Sequence, residues 1–173
     1  MPERVRSNKV RLRSGIPQRR GDEMSSTSDP ILLVEDSEND VLITRRAWKK
    51  GHIKNPLHVV NDGEEAIGFL RREGSHAGAP KPSLILLDLK MPKMDGFEVL
   101  QEIKRDPSIR SIPVIVLTSS NRSSDIDRAY ELGCNSYIVK PVNFEKFINA
   151  IVGLSHYWLE ICTIPSYATM GMY

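Results

Sequence analysis

Five side chains with reactive or charged ends sit where apolar runs finish. Glu35 and Asp36 close "ILLVED" (31–36), and Asp88 closes "SLILLD" (83–88). Thr118 lies late in "IPVIVLTSS" (112–120), and Lys140 lies in "SYIVKP" (136–141). Three carboxylates held together repel, and each raises the others' pKa unless a cation intervenes. A hard divalent ion resolves this, because Mg²⁺ accepts one or two carboxylates, keeps waters and coordinates phosphate. A metal, an ammonium and a hydroxyl converging on one carboxylate suit phosphoryl transfer onto that carboxylate. The acid is the nucleophile, the metal and Lys140 stabilise the equatorial oxygens, and the Thr118 hydroxyl bonds one of them.

Such a set must be positioned by the elements that precede each residue. Between the apolar runs, "EDSENDVLITRRAWKKG" has helical character. Ser37 suits an N-cap, Ile43, Ala47 and Trp48 fall on one face, and Lys49 and Lys50 precede Gly51. "LHVVND" (57–62) reads as a strand, and "GEEAIGFLRREG" as a short helix. "DGFEVLQEIKRD" (95–106) and "SSDIDRAYELG" read as further helices, stopped by Pro107 and Gly133. A last helix, "NFEKFINAIVGL", places Phe144, Phe147, Ile148 and Ile151 on one stripe. Five continuous apolar strands alternating with five amphipathic helices predict an α/β fold, a doubly wound parallel sheet covered on both faces. In such sheets ligands bind beyond the carboxyl ends of the strands, which is where these five residues fall.

Composition narrows the class further. The chain has 173 residues, which suits one domain with short extensions. It carries 24 basic and 22 acidic residues, but positions 1–23 hold seven of the former and three of the latter. The remaining 17 basic and 19 acidic residues give the body a charge of −2, so it is not a basic nucleic-acid binder. Residues 1–27 are expected to be a disordered basic leader with Met24 as a natural start, and 28–154 the folded domain. No long apolar run suits a membrane span or a secretory signal. Cys134 and Cys162 match no metal spacing or disulfide framework, which suits a cytoplasmic location.

"LLVED", "LLDLKMPKMDG", "VIVLTSS" and "YIVKP" together resemble the receiver domain of two-component response regulators. The likeness runs over about residues 28–154, in order and at normal spacing, and four agreeing motifs make it specific. It implies a flavodoxin-like sheet of order 2-1-3-4-5. It also implies that Asp88 is the phosphoacceptor, that Asp36, Asp88 and the Lys90 backbone carbonyl ligate Mg²⁺ (or Mn²⁺), and that Glu35 acts through a bound water. By the same resemblance Thr118 is the switch hydroxyl, Tyr137 the switch aromatic, and Lys140 the partner of the phosphoryl group, before a cis Lys140–Pro141 peptide. The long Gly-, Ala- and Pro-containing loop before "SLILLD", and the tail "HYWLEICTIPSY", are similar to small single-domain regulators paired with phytochrome-type histidine kinases. A phosphorylatable switch, not an enzyme, is therefore expected, with such a kinase as partner.

Taken singly, each residue has an ordinary explanation. Glu35 and Asp36 suit a helix N-terminus, Thr118 a strand, Tyr137 a core, and Lys140 a turn. Their joint placement at successive strand ends favours the functional reading. The competing enzyme is a metal-dependent phosphatase of the haloacid-dehalogenase type, which needs an acid two residues after its nucleophile; here that residue is Lys90. A dinucleotide-binding half-domain lacks its G-x-G-x-x-G after the first strand. Residues 155–173 are too few for an effector domain, so output is expected through the domain's own surface. Tyr157, Trp158, Leu159, Ile161, Ile164 and Tyr167 exceed what a lone domain needs to cover its sheet, and they suggest a symmetric homodimer through the last helix and tail.

Overall fold

The apolar runs become strands because their β-branched and leucine side chains can be buried on both sides of a sheet. β1 (Ile31–Val34), β2 (Leu57–Val60), β3 (Leu84–Leu87), β4 (Val114–Thr118) and β5 (Ser136–Val139) form one sheet in this computed structural model, which describes residues 29–163. Every pairing is parallel and the order is β2-β1-β3-β4-β5, the doubly wound arrangement expected. The expected leader (1–27), and Ile164 and Tyr167 of the tail, lie outside the described residues.

Five α-helices connect and cover the strands: α1 (Glu38–Lys50), α2 (Gly63–Arg71), α3 (Gly96–Arg105), α4 (Ser123–Glu131) and α5 (Phe144–Ser155). Side chains cap four of them. Ser37 accepts the Asp40 N–H, Asp62 the Glu65 N–H, and Asn143 the Lys146 N–H. Asp95 and Glu98 form a reciprocal capping box at α3. Each cap is worth about 1 kcal/mol. α4 follows Arg122, whose side chain makes no cap hydrogen bond.

Alternation along the strands divides the core in two. Leu32, Val34, Ile85 and Leu87 face α2 and α3, where Phe69, Val99, Leu100 and Ile103 meet them. Ile31, Leu33, Leu84 and Leu86 face the other way, onto Ala47 and Trp48 of α1 and Phe147, Ile148 and Ile151 of α5. Burial on both faces explains why β1 and β3 read as unbroken apolar runs. β5 is an edge strand, and Val139 remains 39% exposed.

Beyond α5 the chain continues as a π-helical stretch, His156–Ile161, closed by the Cys162 N–H on the Tyr157 carbonyl. Trp158 and Leu159 turn back onto the α1–α5 core, whereas Tyr157 and Ile161 stay exposed. Part of the apolar surface expected to be spare is therefore used by the domain itself. One expectation is overturned: the Lys140–Pro141 peptide is trans, as is every other peptide bond among the described residues. An X–Pro bond favours trans by about 0.5–1 kcal/mol unless its surroundings impose the other isomer.

Candidate functional site

β1 and β3 are neighbours, and the helices that follow them, α1 and α3, cover opposite faces of the sheet, so the two connections part and open a crevice at the carboxyl ends of these strands. Register places Val34 beside Leu87, so the residues that follow, Glu35 and Asp88, leave the sheet side by side. Asp36, the next residue, is exposed to solvent. One carboxylate oxygen from each of Glu35, Asp36 and Asp88 falls within 4.8 Å of the others. Glu35 is 1% exposed and Asp88 6%, so two of the three acids are withdrawn from water.

Lys140 enters this cluster from the end of β5. Its ammonium lies 2.5 Å from Glu35 Oε2, 2.7 Å from Asp40 Oδ2 and 3.5 Å from Asp88 Oδ2. Burial works against the charge on Lys140, but Asp88, Glu35 and Asp40 more than offset it and hold its pKa above the ordinary value. Glu35 goes the other way: burial pushes its carboxyl up to about 7 against the pull of Lys140, and the Asp88 charge adds to the rise. Asp40 was not foreseen. It sits on the first turn of α1, four residues after Asp36, on the helix that the Ser37 cap starts.

Local hydrogen bonding fixes the Asp88 carboxylate. Oδ1 accepts the Leu89 N–H at 2.8 Å and the Lys90 N–H at 3.4 Å, which leaves Oδ2 facing Lys140. The Asp88 N–H donates to the Val34 carbonyl at 3.0 Å. The following loop returns so closely that the Gly96 N–H donates to the Leu89 carbonyl at 3.0 Å. A Cβ at Gly96 would lie 2.2 Å from the Asp88 carbonyl oxygen. Gly96 therefore belongs to the site for its lack of a side chain, which the reading of "DGFEVLQEIKRD" as a helix did not bring out.

Thr118 is fully buried at the end of β4, and its Oγ1 accepts the Ser120 N–H at 3.4 Å. Tyr137 packs against the α2–α3 core and donates its hydroxyl to the Ser120 carbonyl at 3.0 Å. Burial pushes the Tyr137 phenol pKa up, and the charges of Asp125 and Asp88 act in the same direction. Lys90 is exposed on the loop after β3. A cleft of about 590 Å³ beside Arg45, Lys49 and Lys54 opens near the start of β2 and holds none of the five residues.

The donor set suits a hard dication. Three oxygen-bearing acids converge, with no nitrogen or sulfur ligand among them, and a carboxyl as buried as Glu35 is relieved by positive charge nearby.

Comparisons with known proteins place the family and the fold. The family model of the response regulator receiver domain matches residues 31–152. Response regulator Rcp1 of Synechocystis sp. is 42% identical over 146 residues, covering 83% of this chain and 99% of that protein. The structure of a phosphorylated cyanobacterial phytochrome response regulator, RcpA, superposes with a TM-score of 0.77 at 42% identity, covering 80% of this chain and 99% of that one. The Mn²⁺-bound form of Rcp1 superposes with a TM-score of 0.76 at 41% identity and the same coverage. By its motifs, its strand order and these matches, the chain belongs to the response regulator receiver domain family.

Proposed function

We propose that this domain takes a phosphoryl group onto Asp88 from a sensor histidine kinase and signals through the change of surface that follows. The observation that carries this reading is the state of the Asp88 carboxylate. It is buried, one oxygen is pinned by backbone amides, and the other faces an ammonium and two further acids. A nucleophile fixed in this way loses little freedom on reaction. Asp36, Asp88 and the Lys90 carbonyl would hold Mg²⁺ or Mn²⁺, with Glu35 beside them, and the ion would supply charge stabilisation for the transferred group. Lys140, whose nearest partners here are Glu35 and Asp40, turns to the phosphoryl oxygens when they arrive. Thr118 supplies the switch hydroxyl and Tyr137 the switch aromatic. The phosphatase alternative gains no support, because position 90 carries a lysine in place of the carboxylic acid that family uses.

Small phosphodonors serve the same carboxylate, so loading and loss of the phosphoryl group are the domain's own chemistry. The likeness to Rcp1 and to a phytochrome response regulator supports a phytochrome-type kinase as partner. A cytoplasmic location is consistent with the free Cys134 and Cys162, and no helix among the described residues is long and apolar enough to cross a membrane. Exposed Tyr157 and Ile161 support a homodimer through the last helix and tail. The function is tested by incubation with acetyl phosphate and Mg²⁺: a one-phosphate mass gain is expected, and turnover of phosphate esters without it would favour the phosphatase.

A further inference from the structure

Ser120 is a buried residue in an otherwise exposed loop. It is 3% exposed, while Ser119 before it and Asn121 to Ser124 after it are exposed. All three of its polar groups are engaged. Its N–H donates to Thr118 Oγ1 at 3.4 Å, its carbonyl accepts the Tyr137 hydroxyl at 3.0 Å, and its own hydroxyl donates to Asp125 Oδ2 at 2.5 Å. Three elements, β4, β5 and α4, thus meet at one serine. The bond to Asp125 joins a hydroxyl to a carboxylate on α4, whereas the bond to Thr118 is at the long limit.

We infer that Asp125 is a positioning residue: through Ser120 it holds Thr118 and Tyr137 in the arrangement described here, and this hold sets how readily Asp88 accepts a phosphoryl group. The inference rests on reading Asp88 as phosphoacceptor and Thr118 as switch hydroxyl. Turning Thr118 toward a group on Asp88 costs it the Ser120 amide. Ser120 cannot follow freely, because Asp125 ties its hydroxyl to α4 and Tyr137 ties its carbonyl to β5. The carboxylate on α4 therefore opposes the rearrangement that phosphorylation needs, and by reciprocity phosphorylation loosens the start of α4.

Asp125 also has a simpler role, since it lies in the first turn of α4 and an acid there favours the helix dipole. Ser120→Ala separates the two roles, because it cuts the tie and leaves the helix charge in place. The test uses the full chain with Mg²⁺ and trifluoroberyllate, a non-covalent mimic of the phosphoryl group, titrated by calorimetry beside urea unfolding. Asp125→Ala and Ser120→Ala, each of which removes one end of the bond, should each bind the mimic about fivefold more tightly or better. The double variant should add nothing further, as expected for two ends of one bond. Parental affinity in both variants, with the parent binding normally, overturns the positioning role alone. So does an effect confined to Asp125→Ala, which would belong to the helix dipole. A parent that does not bind the mimic and gains no phosphate from acetyl phosphate overturns the Asp88 reading, and this inference with it.

Discussion

Replacing Gly96 by alanine tests whether the site depends on the close return of the loop after β3. The φ of Gly96 is not in the left-handed region, so backbone freedom is not the issue. Space is. The added Cβ would lie 2.2 Å from the Asp88 carbonyl oxygen, 2.6 Å from Leu89 Cα and 2.9 Å from the Asp88 carbonyl carbon. Carbon contacts relax at about 3.5 Å, so atoms must part by roughly 1 Å. All three obstructing atoms are backbone, and the Gly96 N–H is itself held by the Leu89 carbonyl, so no flexible side chain can absorb the shift. Overpacking of this kind costs about 1–3 kcal/mol. The larger effect should be on chemistry, because a displacement of about 1 Å at a reacting group can cost on the order of 10²-fold in rate. The assay pairs urea unfolding with the rate of phosphorylation by acetyl phosphate, measured where the variant is folded. Gly153→Ala is the control: Gly153 is exposed in α5 with nothing within 4 Å, so it should gain up to about 1 kcal/mol and phosphorylate normally. A folded Gly96→Ala protein that phosphorylates within about threefold of the parent would refute the reasoning, given the rate loss expected from misplacement.

Glu35→Gln should remove a pH dependence of stability in EDTA. Burial raises the Glu35 carboxyl from 4.5 to about 7, so the folded state keeps a proton that the unfolded chain has released, and stability falls as pH rises through that window by about 3 kcal/mol; parallel profiles for parent and variant would contradict the burial argument. Asp36→Ala should weaken Mg²⁺ by about tenfold or more while leaving the fold intact, since Asp36 is exposed; calorimetry showing unchanged affinity would remove Asp36 from the ligand set. Tyr157→Ser with Ile161→Ser should give a monomer by light scattering, while the parent is a dimer at micromolar concentration; a parent that is already monomeric would end the dimer proposal.

The strand ends were legible because a charge after an unbroken apolar run is costly unless the sheet edge gives it a use. That reasoning reached Glu35, Asp36, Asp88, Thr118 and Lys140 from sequence alone, and the described geometry brings the three acids and Lys140 together. Asp40 escaped it because its partner is Lys140, a hundred residues away along the chain, and an acid in a first helical turn already has a local reason to be there. Asp125 escaped it for the same reason, as an acid in the first turn of α4, and the burial of Ser120, two residues past Thr118, is shown only by the fold, because a serine in a polar loop carries no periodic signal. The division of the tail into Trp158 and Leu159, which pack, and Tyr157 and Ile161, which do not, depends on the π-helical winding after α5. No apolar pattern of period 3.6 encodes that winding.

The central claim is that Asp88 is the nucleophile, and one substitution addresses it. Asp88→Asn keeps the shape of the side chain and an oxygen that can still accept the Leu89 N–H, but it removes the attacking charge. With acetyl phosphate and Mg²⁺, intact-mass spectrometry should show one added phosphate on the parent and none on the variant, both folded by urea titration. Equal phosphorylation of the Asp88→Asn protein would contradict the account.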